Sequence, residues 1–353
     1  MGMKILKIIS ILILTVFLIS VGYIYSLTFQ PEGRMDWGQA LFLKVVGDNA
    51  EQIELLKKMT VQQRSHFTDA VPINTTGLNV DTLKITNDSL TVFIFKPKHL
   101  PKNSPVIVYF HGGAFVLPWT NVSVTYATRL AHSFNAIVVG VDYRVAPEHP
   151  FPIPNNDCYA TLLWTIQNIE KWGGNPHQIV VAGESAGATL AATVAIKARE
   201  EHLTNIKYQL LDSPVTYIPF NTNAYKKFKR GYFLEETEMR FGIESYLPNE
   251  VDYTNPLAMP YYSENLSNLP PAVVITNEFD PLKDTGRDYA KKLAEAKTST
   301  TYKEMKGMVH CIPGPFNEKD RTELYNQIAK EFNLAIGKAP ANTKSGNGSY
   351  THR

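Results

Sequence analysis

A chain of 353 residues, 44% of them hydrophobic and with a formal net charge of +2, has ordinary globular composition and is long enough for one large domain with an elaboration. A charge this near neutral gives no electrostatic reason to expect nucleic acid or an acidic polymer as partner. Cys158 and Cys311 are the only cysteines, which excludes a disulfide scaffold; their pairing is not readable from sequence, so the redox compartment stays open.

Lys4 and Lys7 precede an uncharged apolar stretch over residues 8–29, roughly the 20 residues a helix needs to cross a bilayer. The two lysines favour a cytoplasmic N-terminus, so everything after residue 30 is expected on the other side. The stretch is longer than a usual signal core and no Ala-x-Ala site follows, although Ser20-Val21-Gly22 is a passable substitute. Residues 1–30 therefore read as a signal anchor, with a cleaved signal peptide and a secreted or periplasmic product as the alternative. Residues 31–89 read as a helical cap or linker segment, since Leu41, Val45, Ile53, Leu56 and Met59 fall at loosely helical spacing.

Residues 91–95 and 106–110 read as strands, β-branched and aromatic with turn residues between them. A helix over 124–134, a strand over 136–141, a helix over 157–168 and a strand ending at Gly183 follow. A small-residue helix over 188–198 and a strand over 208–211 come next. Strands alternating with helices imply an α/β fold, a mostly parallel sheet with helices on both faces. The alternation breaks over residues 215–259, which are rich in Tyr, Phe, Lys and Asn and read as an insertion capping the cleft. Tyr217, Phe220, Tyr225, Phe228, Tyr232 and Phe233 either line a pocket or form the cap's own core, and the second reading is preferred. A strand over 272–276, a helix over 281–296, a strand over 300–304 and a helix over 319–332 complete a catalytic domain spanning 90–336. Residues 337–353 are polar, with Pro, Gly, Asn and Ser, and are expected to form a disordered tail.

Gly183-Glu184-Ser185-Ala186-Gly187 lies between a strand and a helix, the context that gives Gly-x-Ser-x-Gly its meaning. The turn is so tight that the residues two away from the serine must be nearly free of side chain, and it pushes the hydroxyl into a cleft. An activated serine needs a base, and the base an orienting acid. In this kind of sheet they follow in the order Ser, Asp, His on loops after later strands. Asp280 directly follows the strand over 272–276, and His310 stands between the last strand and the last helix. Pro281 also makes Asp280 a natural helix N-cap, and Asp212 and Asp284 compete with it for the acid's place. Negative charge forming on a carbonyl oxygen needs fixed donors. His111-Gly112-Gly113-Ala114-Phe115, after the strand over 106–110, offers backbone N–H groups for that purpose, with a further donor at Ala186. His111 itself reads as structural.

These motifs together resemble the hormone-sensitive-lipase family of α/β-hydrolase esterases, whose signature Asp142-Tyr143-Arg144-Val145-Ala146-Pro147-Glu148 also resembles. The resemblance runs over residues 90–335. With the apolar N-terminus, the layout is similar to the arylacetamide deacetylase branch, single-pass membrane proteins facing the lumen. It implies an α/β-hydrolase fold with Ser185 as nucleophile, His310 as base and Asp280 as orienting carboxylate. Gly112, Gly113, Ala114 and Ala186 would supply the oxyanion N–H groups. Arg144 and Glu148 resemble a structural pair. Two positions depart from the family pattern: Ala114 replaces a third glycine, and Glu184 stands where aspartate is common, a difference expected to matter little.

The implied activity is hydrolysis of short- to medium-chain acyl or acetyl esters through an acyl-enzyme, with no metal or cofactor. The expected partners are a small-molecule ester and a membrane, with no nucleic acid; a homodimer is left open. An amide hydrolase with the same triad is the nearest rival. A non-catalytic small-molecule receptor is the other, although receptors of this family lack the base that His310 provides. Asn74, Asn87, Asn121, Asn265 and Asn347 begin N-x-Ser/Thr sequons, which matter only in a lumenal domain of a glycosylating host.

Overall fold

The computed structural model describes residues 2–47, 50–86, 89–311 and 318–336. Its centre is an eight-stranded sheet. In chain order the strands are β1 (Leu78–Ile85), β2 (Leu90–Pro97), β3 (Ser104–Phe110), β4 (Ile137–Asp142), β5 (Gly174–Glu184), β6 (Ile206–Asp212), β7 (Ala272–Phe279) and β8 (Thr300–Val309). They lie side by side in the order β8-β7-β6-β5-β3-β4-β2-β1, with the β1–β2 and β2–β4 pairings antiparallel and the remaining pairings parallel. All seven residues of β3 are buried, as a parallel strand covered on both faces must be.

One face is covered by α5 (Asn121–Phe134) and α11 (Glu318–Ala335), the other by α6 (Ile153–Asn168), α7 (Ala186–Glu200) and α10 (Lys283–Glu295). The small residues of α7 let it lie close on the sheet: Ala188, Ala191, Ala192 and Ala195 are fully buried. Strand register decides where the chemistry sits. Phe110 pairs with Gly183, Gly183 with Leu211, and Asp212 with Ile275, so the carboxyl ends of β3, β5, β6 and β7 line up along one rim.

The segment 31–89 is not helical throughout. It holds α2 (Trp37–Val46), α3 (Ala50–Leu56) and α4 (Val61–Arg64), but also the edge strand β1. Only Leu78 and Ile85, the two ends of β1, are buried. Such a strand carries no internal alternation and forms because β2 offers it a full register from Leu78↔Pro97 to Ile85↔Leu90. The roof of the cleft is composite. Ile53 and Leu56 of α3 join Met239 and Ile243 of α9 (Glu236–Tyr246) in the core cluster, and α8 (Asn223–Phe228) completes the insertion.

The first helix, α1 (Gly2–Leu27), contains a 19-residue span, Ile9–Leu27, of mean hydropathy 2.2 with none of it buried in the protein. Among the described residues it is the one helix long and apolar enough to cross a membrane. Asn74 and Asn265 are exposed, whereas the Asn121 amide donates to the Asp69 and Val71 carbonyls at 3.3 and 3.1 Å. Asn87, Asn347 and the tail 337–353 lie outside the described residues.

Candidate active site

Ser185 occupies the single residue between β5 and α7, with φ 53° and ψ −123°. A non-glycine residue avoids that region unless its surroundings hold it there. Two observations explain the hold. The Ser185 N–H donates to the Asp212 carbonyl at 2.8 Å, tying the turn to β6. A Cβ on Gly187 would stand 1.9 Å from the Phe110 carbonyl oxygen, so only glycine lets α7 start this close to β3.

Three side chains from three loops meet here. The Ser185 Oγ lies 2.9 Å from His310 Nε2, and His310 Nδ1 lies 2.7 Å from Asp280 Oδ2. The other Asp280 oxygen accepts the Leu282 N–H at 2.8 Å, so one carboxylate both holds the turn before α10 and faces the imidazole. Burial alone pulls the His310 pKa down, but the carboxylates of Asp280, Glu238 and Asp212 outweigh it and hold the value above the ordinary 6.5. The two competing aspartates are engaged elsewhere. Asp284 accepts the Ala224 N–H at 2.8 Å and pairs with Arg287 at 2.7 Å. Asp212 accepts from Tyr325 at 2.8 Å and is ion-paired with Arg321. A hydroxyl, an imidazole and a carboxylate in this order can pass the hydroxyl proton to the ring as the oxygen attacks a carbonyl.

The loop after β3 brings Gly113, Ala114 and Ala186 together with their N–H groups unbonded among the described residues. Gly112 differs: its N–H donates to Glu184 Oε1 at 2.8 Å and is not free for an oxyanion. The same oxygen accepts the Tyr109 hydroxyl at 2.8 Å. Glu184 therefore fastens the loop to the nucleophile strand. Burial raises its pKa to about 8. Ala114 and Phe115 both take positive φ, 54° and 63°, so the missing third glycine is replaced by a strained alanine. The strain is held by contacts from α9. Phe115 stacks on Tyr246 with ring centres 3.9 Å apart, and a Cβ on Gly242 would stand 2.5 Å from the Ala114 oxygen. His111 is buried, stacked on Tyr143 at 4.1 Å, and its Nδ1 lies 2.7 Å from the Gly112 oxygen. Burial lowers its pKa.

A cavity with about 310 Å³ of empty space opens at Ser185, lined by Phe115, Val215, Leu234, Met239, Ile243 and Leu282 among others. Of the six cap aromatics, none lines it. Phe228 and Tyr232 pack on Phe279, Tyr217 on Tyr261 and Phe220 on Tyr225. Phe115 apart, the hydrophobic lining is aliphatic, and the spacing of Met239 and Ile243, four apart on α9, is the signal in the sequence that could have found it. Glu238, beside Met239, is a carboxyl with its pKa pushed to about 7 by burial, and the charge of His310 acts on it.

Two side chains behind the site carry no motif. Arg321 of α11 is fully buried; besides Asp212, it donates to Asn277 Oδ1 at 3.1 Å. Asn277 in turn donates to Ser213 Oγ at 2.8 Å. The signal was available, because Arg321 falls on the same helical stripe as Tyr325, Ile328 and Phe332 and so on the buried face. The pairing expected between Arg144 and Glu148 is not formed. Arg144 grips Asp157 with two bonds of 2.7 and 2.9 Å, while Glu148 pairs with the buried Arg64 of α4. Sequence neighbours on one motif are thus tied to different elements, α6 and the N-terminal segment.

A family described by its alpha/beta hydrolase fold matches residues 107–313. An arylesterase of Saccharolobus solfataricus is 32% identical over 266 residues, covering 74% of this chain and 86% of that protein. The carboxylesterase NlhH of Mycobacterium tuberculosis is 34% identical over 239 residues, or 66% of this chain and 75% of the relative. Among solved structures, a thermostable esterase from Pseudomonas putida superposes with a TM-score of 0.78 at 28% identity, covering 87% of this chain and 99% of the other. With the fold, the nucleophile turn and these relatives agreeing, the chain belongs to the hormone-sensitive-lipase family of α/β-hydrolases and is a carboxylesterase-like hydrolase.

Proposed function

We propose that the chain hydrolyses short-chain carboxylic esters through a covalent acyl-enzyme formed on Ser185. The unbroken run of bonds from Ser185 through His310 to Asp280 carries this reading. His310 Nε2 accepts the hydroxyl proton as Oγ attacks the ester carbonyl, and Asp280 steadies the imidazolium that results. The carbonyl oxygen, now negative, is met by the N–H groups of Gly113, Ala114 and Ala186. Collapse of the adduct breaks the bond to the alcohol, which leaves with the proton from His310. Water then attacks the acyl-enzyme by the same route, restoring Ser185 and releasing the acid.

The small, mainly aliphatic cavity at Ser185 suits a short acyl group. We read α1 as a membrane anchor, with the hydrolase domain on the extracytoplasmic or lumenal side, because Lys4 and Lys7 precede its apolar span.

Ser185→Ala is expected to lower kcat for a nitrophenyl acetate by about 10⁴-fold or more while leaving the circular dichroism spectrum unchanged; retained turnover overturns the assignment. In the wild-type enzyme, kcat/KM falls on the acid side as His310 protonates, with a midpoint above 6.5. Comparing phenyl acetate with acetanilide separates ester from amide hydrolysis, and the ester is expected to turn over faster.

A further inference from the structure

Helix α2 lies between the triad and the first helix. Its inner face is buried at Gly38, Gln39 and Ala40, and Gln39 Oε1 accepts the N–H of Val309, next to His310, at 3.3 Å. Its outer face carries Trp37, Leu41 and Val45 at intervals of four. Trp37 is 60% and Val45 76% exposed, with Leu41 half-buried between them, an apolar row that an aqueous surface rarely leaves uncovered. Trp37 lines one open groove with Val21, Ile24 and Tyr25 of α1. At the foot of that groove the Arg34 guanidinium lies 4.9 Å over the Tyr25 ring and 5.6 Å over Phe29. Aromatic rings with a cation where an apolar span ends are the residues that sit at a membrane interface.

A second observation is independent of the apolar row. Lys226, Lys227, Lys229 and Arg230 stand within five positions of the cap. Lys229 and Arg230 pair with Glu236 at 3.2 and 3.8 Å, whereas Lys226 and Lys227 are exposed and have no ion pair among the described residues. This run leaves the cap beside the end of α1, since Ala224, Phe228 and Tyr232 share a cluster with Met35, Ala40 and Leu27. Phe279 and Val309 belong to the same cluster, one residue before Asp280 and His310 respectively.

We propose that this side of the cap is a docking surface for an anionic lipid bilayer, with Trp37, Leu41 and Val45 in the acyl boundary and the basic run against lipid phosphates. The inference rests on α1 spanning the membrane. A bilayer is the occupant because the apolar row is continuous with the α1 span through their shared groove, and because Lys226 and Lys227 beside it are cations with no ion pair among the described residues. The active site is thereby held at the lipid surface, where esters dissolved in the bilayer are concentrated.

The test uses the full chain reconstituted in vesicles containing brominated phosphatidylcholine. Part of the tryptophan emission is expected to be quenched, and Trp37→Phe is expected to remove that part, since Trp119, Trp164 and Trp172 lie in the hydrolase domain. Equal quenching with and without Trp37 overturns the docking of α2. Charge reversal at Lys226→Glu with Lys227→Glu is expected to raise KM for a vesicle-borne naphthyl ester about fivefold or more in phosphatidylserine vesicles. Turnover of a soluble acetate ester should not change. An unchanged KM overturns the headgroup contact. Flotation with vesicles reports on α1 separately: a chain that fails to float overturns the anchor, and one that floats with Trp37 unquenched overturns only the docking.

Discussion

Glu184, buried beside the nucleophile with its pKa pushed up to about 8, is protonated at neutral pH in the folded protein and ionised in the unfolded chain, where its ordinary value is 4.5. The folded state therefore binds one more proton than the unfolded state between those values. The stability this group contributes is complete below 4.5 and is lost as pH rises through about 8. Glu184→Gln keeps an oxygen for Tyr109 and Gly112 and cannot ionise. Its stability relative to wild type is expected to rise by a few kcal/mol on the order of the shift across that range, read by urea denaturation at a series of pH values. Parallel pH dependences would contradict the assignment. The motif announced Ser185, because a strained turn demands glycine on both sides of it. It did not announce what the intervening Glu184 grips, since those partners come from β3 and the loop after it, 75 and 72 residues away in sequence.

At the scale of elements, the strands and helices around the sheet were legible because burial on both faces leaves uninterrupted apolar runs. The cap was legible only as a break in that pattern. Its aromatic residues drew attention by type, yet they pack on one another and on Phe279. The cavity went instead to the aliphatic Leu234, Met239 and Ile243. Which side of α9 meets the cleft depends on how the insertion folds back, and local sequence does not encode that. Gly242 marks the closest approach. Gly242→Val forces α9 away from Ala114, whose oxygen would otherwise lie 2.5 Å from the new Cβ. The expected cost is about 1–3 kcal/mol of stability, with kcat falling about 10²-fold as the Ala114 N–H leaves its place. Thermal melts and steady-state kinetics check the two effects; unchanged kcat with lowered stability would free α9 of any part in placing the loop.

Across the whole molecule, α11 is fastened beneath the reacting groups by a buried network. Arg321 holds Asp212 and Asn277, Asp212 receives the Tyr325 hydroxyl, and the Asp212 carbonyl takes the Ser185 N–H. Arg321→Met leaves the Asp212 carboxylate buried without its cation, at an expected cost of about 3–5 kcal/mol. The unbalanced negative charge also raises the His310 pKa further, because Asp212 already acts in that direction. The acid limb of the pH–rate profile is thus expected to move to higher pH. Arg321→Met combined with Asp212→Asn is expected to return the limb toward its wild-type position. A limb that stays in place in the single variant would reduce Arg321 to a packing role.

The sequence by itself determined the alternation of strands and helices, the nucleophile turn and the order in which Ser185, Asp280 and His310 arrive at one rim. Each of these is written locally, in periodicity, in glycine spacing or in position after a strand. Only the tertiary structure decided that the Gly112 N–H is spent on Glu184, that Arg144 and Glu148 part company, and that Arg321 underlies the triad. Those outcomes turn on pairings between residues 13 to 109 positions apart, which a buried polar group completes wherever the packed chain supplies a partner, since leaving it unpaired costs more.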